Sequence, residues 1–389
     1  MDITPSTAEI AHSQQLAEKI LLEIKANNGR ISFSKYMAMA LYAPGLGYYT
    51  SGTTKFGIKG DFTTAPELSP LFGATIVQTL LPILETLKSK GLSTQILEFG
   101  AGSGALAESV LDALKDADFE IDDYQILDLS ADLIERQKER LKNRSEKISW
   151  LNSLPSKFDG VILANEVIDA MPVDIVTLHE NQWHYLDVKN TENKNTITFE
   201  FCQGAKVAEE LIPSHLDKTK LGNGYTTEIH PNAIAWINSL AQQLNTGAIL
   251  TFDYGFAGHE YYHPQRSQGT LIAHYRHHAI QDPFFYPGIC DLTAHVDWSE
   301  IAKAAIANQL ELLGFTSQAA YLLDAGIAQI MLSVADPSDT QTYMPMANAL
   351  QKLLSEAEMG ELFKVICLGK NIEFSEGELP GFTRKLRAL

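Results

Sequence analysis

Residues 96–111 read ILEFGAGSGALAESVL, and this stretch decides the fold. A short apolar strand ends at Glu98 and Phe99, the chain turns through Gly100, Gly102 and Gly104, and a helix follows. Glycine lets a backbone turn sharply and approach a ligand without a Cβ in the way. The spacing satisfies G-x-G-x-x-A through Ala105, so on its own it suits a nicotinamide or flavin enzyme equally well.

Downstream the alternation repeats. YQILDL is a strand, residues 131–142 a helix, and KFDGVILAN a strand running into EVIDAMPVDIV. Such alternation predicts a doubly wound α/β fold, a parallel sheet covered on both faces. Upstream, Ile10, Leu16, Ile20, Leu21 and Ile24 are spaced for a helix over residues 7–27, with Gly29 as its stop. Residues 31–71 are dense in Gly, Thr, Pro and aromatics and read as a long ordered loop, followed by a helix at 71–88. WHYLDV and TITFEF read as antiparallel strands around the polar turn KNTENKN, inserted at about 175–225. The sheet resumes with a helix at 233–244 and the strand GAILTFDYG. A second irregular insertion spans about 256–296, and a helical part ends in the strand FKVICLGK. The domain plan is residues 1–70 as N-terminal helix and lid loop, and 71–389 as the α/β domain with its insertions.

The polar residues at the strand ends narrow the ligand. Glu98 lies two residues before the first glycine, where the diphosphate of a dinucleotide would meet an unwelcome charge. Asp128 closes the next strand at the distance expected of a carboxylate gripping a ribose diol. Asn165 and Glu166 close a third, and ligands of such sheets bind outside these carboxyl ends. A phosphate-free, positively charged adenosine derivative fits, and S-adenosylmethionine is the expected cofactor. The plainer alternative makes the glycines a tight turn and the carboxylates solvated caps.

The net charge of -18 and pI near 5.0 argue against a nucleic-acid partner and suit a cationic acceptor. Cys202, Cys290 and Cys367 lie far apart, without CxxC spacing, as in a reducing compartment. No basic, apolar leader opens the chain, and Asp324 and Gly326 break the apolar run at 319–334. A cytoplasmic location with no membrane span is expected. A homodimer is compatible with this composition.

The chain resembles the MidA-like methyltransferases, whose mitochondrial members assist assembly of respiratory complex I. The resemblance rests on YAPGLGYY, GDFTTAPELSPLFG, LEFGAGSGALA, ILDLSADLIERQKERL, NEVIDAMPV, FDYG and PGICDLTAHVDW, unusual strings in a fixed order. It implies a class I methyltransferase fold (Rossmann-like) and, for the mitochondrial members, dimethylation of a protein arginine. Glu98, Gly100, Gly102 and Gly104 fall on the cofactor motif, and Asp128, Leu129 and Ser130 on the ribose-binding strand end. Asn165, Glu166 and Asp169 fall on the NE-x-x-D signature. Asp128 stands where many relatives have Glu, one methylene longer.

A guanidinium acceptor needs carboxylates to hold its planar fork. Glu166 is expected to position and polarise the acceptor nitrogen, with Asp169 as second carboxylate on the same face of a helical segment. Asp169 could instead cap the turn before Met171 and Pro172. Lys59, Gly60, Asp61, Thr63 and Thr64 form the expected lid over the amino-acid end of the cofactor. His274, His277, His278 and His295, with Asp291 and Asp297, match no common zinc spacing, so no metal is expected. His274 and His295 are read as bonding within the layer over the site or touching the acceptor. Asp253 and Tyr254 are read as lining the acceptor channel. A small-molecule O- or N-methyltransferase and a non-enzymatic assembly factor remain the competing functions.

Overall fold

Successive residues of the central strands divide between two hydrophobic cores, as a sheet covered on both faces requires. In the computed structural model, which describes residues 4–51, 64–191, 196–384 and 389, Ile96 packs with helices Leu71–Ser89 and Ala105–Asp116. Its neighbour Leu97 packs on the opposite face with Pro231–Gln243 and Trp298–Ala307. The same split places Val161 and Leu163 against Ile162, and Leu250 against Ile249. Helix Leu71–Ser89 is apolar and long enough to cross a membrane, but Phe72, Ile76, Leu80, Ile83, Leu84 and Leu87 are fully buried in the first core.

The sheet has eight strands. From Gln95–Phe99 the chain builds outward through Asp123–Leu127 to Ile148–Leu151, then returns to the other side with Phe158–Asn165 and Leu244–Phe256. These strands are parallel. Phe363–Lys370 is antiparallel to both its neighbours, Leu244–Phe256 and Glu311–Ser317. Strand order therefore reverses between Gln95–Phe99 and Phe158–Asn165, and the crevice at that seam is where a doubly wound sheet binds its ligand.

The long loop expected at 31–71 is in part helical. Ser32 caps helix Phe33–Tyr42 by accepting the N–H of Lys35 at 3.2 Å, and Phe33, Tyr36, Met37, Ala40 and Leu41 bury one face. Their i, i+3, i+4 spacing is masked by the surrounding turn residues. Two edge strands, Ile148–Leu151 and Glu311–Ser317, also escape the sequence reading, being short or set within helical text.

The inserted antiparallel strands, Gln182–Asn190 and Phe199–Lys206, pair as expected. The N-terminal Ile31–Ser32 joins them, with Ile31 opposite Val188. The second insertion carries a three-stranded sheet of Ile272–Tyr275, His278–Ile280 and Asp291–Thr293. Leu16, Phe33, Tyr36, Val188, Phe199, Ala273 and Leu292 share one core, so the N-terminal segment and both insertions pack as a single layer. Its edge meets the carboxyl ends of the central strands.

Candidate active site

The glycine turn adopts the geometry that only glycine takes without strain: φ is +58° at Gly100, +55° at Gly102 and +84° at Gly104. The turn forms one wall of a cavity of about 570 Å³ at the switch point. Glu98, Gly100, Gly102, Asp128, Leu129, Ser130, Asn165, Glu166, Asp169 and Thr64 all line it. Gly104 is not among its walls. It caps helix Ala105–Asp116 in the left-handed conformation, donating to Ala101 at 2.8 Å. Lys59, Gly60, Asp61 and Thr63 lie outside the described residues.

Among the described residues, the walls carry six carboxyl groups, from Glu67, Glu98, Asp128, Glu166, Asp169 and Asp291, and no lysine or arginine. Arg140, behind the wall, pairs with Glu67 at 3.3 Å. Glu98 is 2% exposed, and Tyr124 donates a 2.7 Å hydrogen bond to it. Burial pushes its carboxyl up to about 8, helped by the nearby Asp128 charge and opposed by the Tyr124 bond. Asn165 presents a buried Oδ1 with no partner among the described residues. Leu129 is 70% exposed at the rim, an apolar surface for a flat ring. Buried acids, an acceptor turned into the cavity and a glycine cradle together fit a cationic nucleoside.

The NE-x-x-D segment is a turn, not a helix. Glu166 sits at φ +55°, and its N–H reaches Phe252 O at 2.9 Å. Asp253, fully buried on the adjacent strand, caps this turn through its Oδ2, and its Oδ1 accepts Tyr254 N–H at 2.9 Å. Asp253 is thus the anchor of this turn and is not among the cavity walls, while Asp169 accepts the backbone N–H of Ala170. Glu166 is half-buried and accepts from Asn165 at 3.1 Å. Burial, then the Asp253 charge, pushes its carboxyl up to about 8. Burial and three neighbouring acids hold Asp169 well above the usual carboxylate range. Burial pushes Asp253 up to about 7, opposed by the backbone N–H groups it accepts.

The second layer completes the pocket with Tyr42, Tyr49, His274, Asp291 and Thr293. Tyr49 donates to both oxygens of Asp291 at 2.9 Å, and Tyr42 to Ala170 O at 2.9 Å. The two rings stack at 5.6 Å. Sequence reading missed Tyr42, Tyr49, Tyr124 and Gln137 altogether; YAPGLGYY contains the first two, but nothing local shows what they meet. His274 lines the cavity, whereas His295 stacks on Tyr254, which does line it. Burial brings His295 down to about 4. Trp236 is also a wall, set edge-on to Phe99 at 5.3 Å. Among the described residues, no cluster of three His, Cys, Asp or Glu is arranged to hold a metal ion.

Residues 75–316 match a family model described as "Putative S-adenosyl-L-methionine-dependent methyltransferase". A crystal structure from Burkholderia thailandensis, bound to S-adenosylhomocysteine, is 43% identical and superposes with a TM-score of 0.91, covering 99% of this chain and 98% of that one. Curated relatives named "Protein arginine methyltransferase NDUFAF7" are more distant. The Caenorhabditis elegans homologue is 27% identical over 95% of this chain and 90% of its own length. The human protein is 26% identical, covering 90% and 82%. The doubly wound sheet is thus a class I methyltransferase fold, and the cofactor is S-adenosylmethionine.

Proposed function

The chain belongs to the family of S-adenosyl-L-methionine-dependent methyltransferases, and from that premise we propose that it methylates a guanidinium nitrogen of an arginine carried by another protein. The acidic wall carries this reading: Glu166, Asp169 and Asp291 gather where the strand-end cavity meets the second layer. The names of the curated relatives support it.

Asp128 receives the ribose diol, Leu129 and Ser130 flank the adenosine, and Asn165 Oδ1 accepts from the ligand. Glu98, Gly100, Gly102 and Thr64 face its cationic amino-acid end. When bound, S-adenosylmethionine supplies an activated methyl group on a sulfonium. The work left to the protein is to align the acceptor, exclude water and manage one proton. A guanidinium entering the acid cluster replaces protons there, because a cation favours the ionised form of Glu166. Glu166 then holds the fork by charge-assisted hydrogen bonds and draws positive charge away from the attacking nitrogen. Asp169 is the second carboxyl; the entering cation displaces its proton to solvent as well, and the ionised carboxylate then takes the proton that the methylated product must lose.

The test is transfer from methyl-labelled S-adenosylmethionine into lysate of cells lacking this gene, followed by hydrolysis to amino acids. Labelled methylarginine in protein is the expected result. Label confined to small amines or hydroxyls would replace the reading with a small-molecule methyltransferase. Binding of cofactor with no labelled product would favour an assembly factor.

A further inference from the structure

Gln137 lies in helix Ala131–Leu141, fully buried, and the site as described so far makes no use of it. Its Nε2 donates to Asp128 Oδ2 at 2.8 Å and to the Gly102 carbonyl at 3.0 Å. Its Oε1 accepts from Trp150 Nε1 at 3.0 Å. This three-way contact has one consistent orientation. An indole N–H can only donate, so the amide oxygen must face Trp150 and the amino group must face the two acceptors. A flipped amide would set oxygen against a carboxylate and a carbonyl, and a donor against a donor.

The partners of this amide belong to two separate parts of the cavity wall. Gly102 belongs to the glycine turn after strand Gln95–Phe99, and Asp128 follows strand Asp123–Leu127. Asp128 is also held at its other oxygen, Oδ1, by the N–H of Ser130 at 2.9 Å. The stem of Gln137 passes beneath Gly104, where an added Cβ would lie 3.6 Å from its Cα and Cγ.

We propose that Gln137 is the positioning residue of the cofactor site: locked by Trp150, its amide sets the distance from the glycine turn to Asp128 and the plane of that carboxylate, so that the ribose diol meets a preorganised acceptor. The inference rests on assigning the ribose to Asp128, as proposed above. Preorganisation spares the ligand the cost of ordering the group that receives it. Outer partners of a ligand-holding group typically act on affinity by about tenfold to a hundredfold.

Calorimetry with S-adenosylhomocysteine and its 2′,3′-dideoxy analogue tests the inference without turnover. Wild type is expected to prefer the diol ligand. Gln137→Met keeps the volume and removes the amide, and should weaken the diol ligand about tenfold while leaving the dideoxy ligand unchanged. A merely structural defect would weaken both alike, and that result, or no change in either, overturns the proposal. Should Gln137→Met fail to fold, Trp150→Phe removes only the amide lock and should give a loss of a few fold, again confined to the diol ligand. Equal loss for both ligands in Trp150→Phe, or no loss, likewise overturns it. Equal wild-type affinity for the two ligands would instead sink the ribose assignment, a separate failure that takes this inference with it.

Discussion

Asp253 Oδ2 accepts the backbone N–H of Ile168 at 2.7 Å, and the N–H groups of Val167 and Asp169 reach the same oxygen at 3.1 and 3.2 Å. One carboxylate thereby fixes the turn that presents Glu166 at φ +55°, a conformation that costs energy for a residue bearing a Cβ. Asp253→Ala removes the acceptor of four backbone N–H groups, counting that of Tyr254, each worth ~1–3 kcal/mol when left unsatisfied. The expected loss, non-additive, is about 3 kcal/mol or more by urea denaturation. A loss under about 1 kcal/mol would show that the turn stands without its anchor.

Glu98→Gln separates cofactor binding from stability. The neutral isostere loses the charge offered to a cationic ligand, and S-adenosylhomocysteine should bind about ten- to a hundredfold more weakly, since hydrogen bonds to charged groups are the stronger ones. Ligand-free stability should move the other way. Burial raises the folded-state value of Glu98 to about 8, above that of an unfolded glutamate. Its favourable contribution is therefore complete below the unfolded value and is lost as pH climbs through 8. Between pH 5 and 9 the Tm of Glu98→Gln should gain a few degrees relative to wild type. A Tm difference that does not vary with pH would show that Glu98 titrates normally.

Cofactor binding should release protons. In the ligand-free cavity Glu98 holds a proton below about 8, and a cationic ligand favours its ionised form. Affinity for S-adenosylhomocysteine should strengthen from pH 6 to 8, with about tenfold per unit as the limit for one proton. Titrations in buffers of different ionisation enthalpy read the release directly; proton uptake would reverse the electrostatic account.

Glu166→Gln should lower kcat for acceptor methylation about 100-fold or more, with S-adenosylhomocysteine affinity within about twofold of wild type. Since burial holds Glu166 up to about 8, wild-type kcat/KM should rise with pH below that value and then level. Activity near wild type in the variant removes Glu166 from the chemistry.

Gly104→Ala tests a backbone role. At φ +84°, with Leu141 Cδ1 3.4 Å from the added carbon, alanine should cost about 1–2 kcal/mol of stability. Affinity for S-adenosylhomocysteine should hardly change, because Gly104 does not line the cavity. A tenfold loss of affinity at unchanged stability would return Gly104 to the ligand.

What the sequence by itself determined is the doubly wound sheet, S-adenosylmethionine as cofactor and the carboxylates that stand at the strand ends. Apolar runs define the strands, a glycine turn requires positive φ, and Glu98, Asp128 and Glu166 each stand beside the strand that delivers them. Local order carries all of that. Tertiary structure alone decided the second-layer wall of the cavity and the raised carboxyls along it. Tyr49 meets Asp291 from 242 residues away in the chain, Asp253 reaches back 85 residues to hold the turn after Glu166, and Gln137 reaches back 35 residues to the glycine turn. Such contacts follow from how layers pack, and the raised carboxyls follow from desolvation, which no isolated stretch of chain experiences.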